Sequence, residues 1–187
     1  MMRILESPLS KDIVRSLKLG EIVYINGPVI TGRDEMHIRA IEKARKGEPV
    51  PEEITGSVLY HCGPIMTEVD GKKAVVAAGP TTSARMNSLE AEMISRFHIR
   101  AIIGKGGMSK DVCKAMADEG CVYLAATGGA AVTLAEGLFA VDGVEWEDLG
   151  MAEAMWKFRA NKLGPLIVAI DSQGNSLYDK VNESLKR

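Results

Sequence analysis

Residues 100–127, RAIIGKGGMSKDVCKAMADEGCVYLAAT, decide the fold. AIIG is a short apolar run with the length of a buried strand. GKGGMS interrupts it, and Ser109 then stands where a helix N-cap belongs. Val112 and Met116 lie four apart on one helical face, and Gly120 supplies the stop. CVYLAAT is a second apolar run. Two strands joined through a helix pair in parallel, because the crossover returns the chain to the end of the sheet from which it left.

The alternation extends in both directions. AVVAAGP at 74–80 reads as a strand, and Leu89, Met93, Ile94 and Phe97 mark a helix after it. Parallel pairing is therefore expected through residues 75–140. Further upstream, Ser10 is placed to cap a helix running to Leu17, and EIVYING reads as a strand leading to Gly27-Pro28. A helix is expected up to Arg45, with Ile38, Ile41 and Ala44 on its apolar face and Gly47 as its stop. Residues 47–56 are loop-like, SVLYHCGP is a strand, and Val69-Asp70-Gly71-Lys72 is a hairpin turn that implies local antiparallel pairing. PLIVAID is a last strand, closed by Ser172-Gln173-Gly174-Asn175. The expected fold class is a mixed-sheet α/β domain occupying residues 1–187, with no linker or low-complexity tract.

Composition narrows the function. The chain has 187 residues, 46% of them hydrophobic and 26% charged, which is ordinary for a globular protein with a real core. A net charge of −2 provides no basic field for nonspecific nucleic-acid binding. Leu166–Ile170 and the other apolar runs are too short to cross a bilayer. MMRILESPLSKD lacks the apolar centre of a secretory signal, so no membrane partner and a cytoplasmic location are expected. Cys62, Cys113 and Cys121 show no C-x-x-C spacing, which fits buried core thiols in a reducing compartment and no metal ligation. A zinc site built on His61, Cys62 and remote partners is the alternative. His37, His61 and His98 lie in unrelated contexts, and no Ser-His-Asp hydrolase signature is visible.

Three apolar runs end alike, at GPVITGRD, GPIMTEVD and GPTTSARMNS. Proline cannot donate to a central ladder, so each run is expected to leave the sheet at its Gly-Pro. Exits gathered on one sheet edge would share a site. Arg33, Arg85 and Lys105 each sit just beyond an apolar run, in a Gly-rich or hydroxyl-rich loop. Arginine grips a carboxylate with two parallel hydrogen bonds and lysine offers a point charge, so the three around one pocket suit a small dicarboxylate. A lone loop arginine is more often a solvated surface charge, a reading that weakens when three cations occupy equivalent loop positions. Gly104-Lys105-Gly106-Gly107 before a helix supports an anion contact, although the phosphate-loop spacing is absent. Gly128-Gly129 could serve strand–helix packing or ligand contact. Thr81, Thr82 and Ser83 are either turn formers and caps or hydroxyls able to relay protons beside Arg85.

SLKLGEIVYINGPVITGRDEMH, GSVLYHCGPI, AAGPTTSARMNS, AIIGKGGMS, AATGGAA and EDLGMAEAMWKF occur in the order found in class I iron–sulfur fumarate hydratases. From about Leu17 to Tyr178 the chain resembles their C-terminal domain or separate β subunit, and the closely similar β subunit of L-tartrate dehydratase. The resemblance implies a swivelling β/β/α domain and reversible hydration of an unsaturated C4 dicarboxylate, fumarate to (S)-malate. It implies a four-iron four-sulfur cluster held by an α subunit in a hetero-oligomer such as α2β2, with none in this chain. Arg33, Arg85 and Lys105 then resemble ligands of the substrate carboxylates, and Thr81 resembles the catalytic hydroxyl. A stand-alone anion-binding module is the reading from another class. Cys62, where a small residue such as alanine is expected, and the extra residue in GMAEAMW depart from the pattern; neither is expected to touch the proposed site.

Overall fold

The computed structural model describes residues 3–127 and 129–185. The chain runs β1 (Arg3–Glu6), α1 (Lys11–Ser16), β2 (Ile22–Thr31), α2 (Asp34–Arg45), β3 (Val58–Tyr60), β4 (Ile65–Val69), β5 (Lys72–Ala77), α3 (Asn87–Phe97), β6 (Ala101–Gly104), α4 (Lys110–Glu119), β7 (Val122–Ala126), α5 (Ala131–Glu136), β8 (Leu138–Glu145), β9 (Met155–Ile170) and α6 (Leu177–Ser184). β2, β3, β6 and β7 lie side by side in parallel. Within residues 75–140 the alternation predicts the β6–β7 pair correctly, but not β5, which pairs antiparallel with β4, nor β8, which pairs antiparallel with β9. β9 runs antiparallel to β2, β7 and β8. Because β9 pairs with β7 on one side and β2 on the other, the pairings β2–β3–β6–β7–β9–β2 close into a ring. The architecture is thus α/β with a mixed sheet.

Period-two alternation explains how this ring is filled. Val58, Tyr60, Ala101, Ile103, Val122, Leu124, Leu166 and Val168 point inward and pack together with Val23 and Ile25. Their neighbours Leu59, Ile102, Tyr123 and Ile170 point outward beneath α2, α3 and α4, which contribute Met36, Ile41, Met93, Ile94, Phe97, Val112 and Met116. A large apolar side chain fully removed from water contributes about 1.5–3 kcal/mol, so these two clusters hold the fold together.

Four further expectations need correction. Gly27-Pro28 does not end a strand: β2 continues to Thr31, with Pro28 opposite Arg159. On its other edge Pro28 falls between the last β1 partner, Asn26, and the first β3 partner, Ile30, where the strand changes neighbours. PLIVAID is only the end of the sixteen-residue β9, whose first half and its partner β8 carry no clean alternation. The buried face of α2 is Met36, His37, Ala40 and Ile41, while Ile38 is exposed. Ser109 occupies the N-cap of α4 without making the side-chain bond; its N–H instead donates to Asn87 Oδ1 at 2.9 Å. The hairpin expectation holds, since Asp70 and Gly71 adopt φ of 50° and 72°, the pair of left-handed residues that a two-residue turn demands. β4 and β5 form a sheet of their own.

Candidate functional site

Segments following β2, β3 and β6, and the segment after β5 of the hairpin, are stitched together by backbone hydrogen bonds. Gly32 N–H donates to Tyr60 O at 3.0 Å, His61 N–H to Ile103 O at 2.8 Å and Thr81 N–H to His61 O at 2.8 Å. Ser83 N–H donates to Lys105 O at 3.0 Å, and Lys105 N–H approaches Thr81 O at 3.4 Å. The exits at 32, 61, 80 and 105 therefore share one sheet edge, where parallel α/β sheets commonly bind ligands.

Arg33 precedes the first turn of α2 and is half-buried, with Nε 3.2 Å from Glu153 Oε1. The other oxygen of Glu153 accepts the Glu35 N–H at 3.1 Å. Gly63 makes room for the guanidinium, because a Cβ there would come within 2.8 Å of Arg33 Nη1. The 150–156 segment therefore does reach the site, contrary to expectation. Arg85 lies in a short 3-10 turn, Ser83–Met86, and pairs through Nη2 with Asp34 Oδ2 at 3.0 Å. Lys105 is exposed just beyond β6, and Thr81 is half-buried. All four sequence-predicted residues thus lie on the shared edge, with both arginines engaged by carboxylates of the chain itself. One concavity, lined by Ser7, Pro28, Thr55, Lys157 and Phe158, lies away from this edge, while Arg85 and Lys105 are exposed on it. The edge is an open ledge.

Directly beneath it lies a buried polar chain that the sequence reading missed. His37 Nδ1 is 2.6 Å from the Arg33 carbonyl oxygen, and His37 Nε2 is 3.0 Å from Glu90 Oε2. His61 Nε2 reaches the same oxygen at 3.0 Å, and His61 Nδ1 lies 2.9 Å from Ser83 Oγ. Tyr123 O–H donates to that Ser83 oxygen at 2.9 Å. The close approach depends on Gly104, where a Cβ would fall 2.0 Å from Ser83 Oγ. His37, His61, Ser83 and Glu90 have no solvent exposure, and the two imidazole rings are 5.3 Å apart. These histidines are not in unrelated contexts. Five buried side-chain atoms lack a well-formed hydrogen bond among the described residues. Arg33 Nε, Asp34 Oδ2, His61 Nε2 and Glu90 Oε1 lie here, and Ser57 Oγ lies elsewhere. Such atoms are costly to bury, and their concentration marks this edge as specialised.

Electrostatics separates the members of the chain. Burial pushes the Glu90 carboxyl up, but His61 and His37 outweigh it and hold the group well below its ordinary 4.5. Burial lowers His37, yet Glu90 beside it wins and the imidazole ends above 6.5. His61 goes the other way, with burial holding it below 6.5. Around one carboxylate, one imidazole is thus shifted up and the other down.

Could these residues hold a metal or cofactor? His37, His61 and Glu90 each offer a donor atom within 4.8 Å of the others, the one such group among the described residues. Cys62 is not part of it, so the zinc alternative is not supported as drawn. Cys62 packs inside the strand ring, its thiol pushed up to about 12 by burial, whereas Cys113 and Cys121 pack on the helix-covered side. Thiolates on opposite sides of a sheet cannot converge on one iron–sulfur cluster, so this chain's donor set does not fit that cofactor. No described helix is long and apolar enough to cross a membrane.

Two signals in the sequence pointed to the missed residues. Glu90 falls three and four positions before Met93 and Ile94, on the apolar stripe of α3, and His37 falls on the same face as Met36, Ala40 and Ile41. A charged or polar residue inside an apolar stripe needs a partner.

The chain is 49% identical over 178 residues to a Methanocaldococcus jannaschii protein provisionally named L(+)-tartrate dehydratase subunit beta, covering 95% of this chain and 91% of that one. It is 36% identical to the L(+)-tartrate dehydratase subunit beta of Escherichia coli, covering 95% and 87%. It is 40% identical to a protein of Geobacillus stearothermophilus provisionally named fumarate hydratase class I, covering 96% of this chain but 34% of that longer protein. Residues 2–181 match the family model described as Fumarase C-terminus, and with relatives aligned over nearly its whole length the chain belongs to that family.

Proposed function

We propose that this chain is the β subunit of a two-subunit hydro-lyase that interconverts fumarate and (S)-malate by reversible hydration. The observation that carries the reading is the gathering of Arg33, Thr81, Arg85 and Lys105 on one open strand edge, in a family whose relatives are named hydratases and dehydratases. The chain acts as one fumarase C-terminal-type domain, residues 1–187, that swivels against an α subunit in an α2β2 assembly. An open ledge suits a site completed by a partner. Three free, buried cysteines support a cytoplasmic location.

Arg33 and Arg85 grip the two substrate carboxylates, exchanging Glu153 and Asp34 for them, and Lys105 adds a third positive charge. Removing a proton next to a carboxylate creates a second negative charge on that group. Preorganised cations facing it stabilise this charge, a contribution of several kcal/mol in a closed site. Their internal carboxylates keep the guanidinium groups oriented until substrate arrives. The Thr81 hydroxyl, with its backbone N–H tied to His61 O, is held at the centre of the ledge to move the proton. The four-iron four-sulfur cluster belongs to the α subunit, since this chain lacks a fitting donor set.

L-tartrate dehydration is the second reading, favoured by relatives of similar length that carry subunit-beta names. Anaerobic reconstitution with the α subunit, iron and sulfide, assayed in parallel on fumarate, (S)-malate and L-tartrate, tests both. Preferred turnover of fumarate and malate is expected, and preferred turnover of tartrate selects the second reading. A complex with an intact cluster that turns over none of them overturns the enzyme and leaves an anion-binding module.

A further inference from the structure

We infer that the buried His37–Glu90–His61–Ser83 chain is a positioning device, in which the single carboxylate of Glu90 locks the Arg33 loop and the Thr81–Arg85 loop into one relative arrangement. The inference rests on the hydro-lyase reading for its purpose, though its geometry stands independently. Donor bookkeeping gives the chain a single direction. The Arg33 carbonyl can only accept, so His37 Nδ1 carries a proton. Ionised Glu90 can only accept, so His37 Nε2 carries one as well. Tyr123 gives its proton to Ser83 Oγ, which leaves the Ser83 proton for His61 Nδ1. His61 then places its one proton on Nε2, toward Glu90.

Each end of this chain terminates on the ledge. At one end the Arg33 carbonyl is held through α2. At the other, His61 O holds Thr81, and the Ser83 backbone holds the Lys105 carbonyl. Segments at 33–37, 61 and 81–90 are far apart in sequence, and apolar side chains of similar volume would join them without desolvating a charge. What apolar packing lacks is direction. A chain of directed polar contacts, closed at its centre by the 3.0 Å approach of His61 Nε2 to Glu90 Oε2, fixes where each loop sits, and displacing a reacting group by about 1 Å costs on the order of 100-fold in rate. The slack in the chain lies in His61 Nε2 and Glu90 Oε1, which lack well-formed partners.

A double-mutant cycle in the reconstituted complex tests this. His37→Asn keeps a donor for the Arg33 carbonyl but breaks the link to Glu90, and Ser83→Ala breaks the chain at its other end. Each is expected to lower kcat/KM per assembled complex by about 10- to 100-fold. The double variant is expected to lose little more than the worse single one, because one chain can be broken only once. Effects that multiply to within twofold overturn the inference. A second measurement needs neither turnover nor a variant that folds. In the full chain labelled with 15N-histidine at pH 7, NMR should show both ring nitrogens of His37 protonated and His61 protonated at Nε2 alone. A proton on His61 Nδ1, or a stoichiometric divalent metal bound by both rings, overturns it. A wild-type complex without turnover defeats the hydro-lyase reading instead, and the ring protonation still decides the network.

Discussion

Inside the strand ring, Val23, Ile25, Ile103, Leu124 and Val168 are as fully buried as His37, His61 and Glu90 under the ledge on the other side. The first set makes only apolar contacts, which are non-directional and interchangeable among residues of similar volume. The second set desolvates a carboxylate and imidazoles to make a few directed contacts, two of whose atoms remain without good partners. Burial of the first kind stabilises the fold. Burial of the second kind forgoes some stability to hold surface loops in place.

The sharpest break of that comparison is Glu90→Gln. Removing one partner from a buried charged set is expected to cost about 3–5 kcal/mol in chemical denaturation at neutral pH. The loss should depend on pH. Glu90 is lowered from 4.5, so its contribution is present above that value and disappears as pH falls through the lowered one. His37 is raised from 6.5, so its contribution is complete below 6.5 and disappears as pH rises through the raised one. The stability gap between wild type and variant should therefore be widest between pH 4.5 and 6.5 and narrow on both sides. A gap that is flat from pH 5 to 9 would show that His37 carries no charge. His61, held neutral by burial, opposes the trend only on the acid side.

Ile25→Ala, inside the ring, is expected to cost about 2–5 kcal/mol by opening a cavity, while kcat/KM of the assembled complex stays unchanged. A large loss of activity per complex would erase the distinction between the two sides. Arg85→Ala inverts the pattern. Its ion pair with Asp34 is half exposed, so folding should change by no more than about 1 kcal/mol. Losing one charged substrate contact should raise the activation barrier in kcat/KM by about 2–3 kcal/mol. Unchanged kinetics would remove Arg85 from the substrate clamp. The smallest effect is expected for Ser10→Ala at the start of α1. There the Ser10 hydroxyl oxygen accepts the Ile13 N–H at 3.2 Å, and its loss should cost about 1 kcal/mol with no kinetic consequence.

Local signals were legible where a few neighbouring residues suffice. The Asp70-Gly71 turn, the Ser10 cap, the α3 stripe and the parallel pairing of β6 with β7 all follow from spacing and propensity. Gly27-Pro28 misled because proline's missing N–H forbids a strand interior only where a ladder needs it. Whether β2 needed it there depended on β1 and β3, which lie elsewhere in the sequence. β9 was half hidden for the same reason: its pairing with three strands is set by distant partners.

By itself, the sequence determined the alternating α/β order, the apolar faces, the cationic residue after each of three strand exits and the family resemblance. Only the tertiary structure brought Arg33 to Glu153, Arg85 to Asp34 and two histidines from different elements onto Glu90. Periodicity reports which face of an element is buried. It carries no information on which residue lies across the interface, and a buried charge depends on that partner for its cost, its protonation and its use.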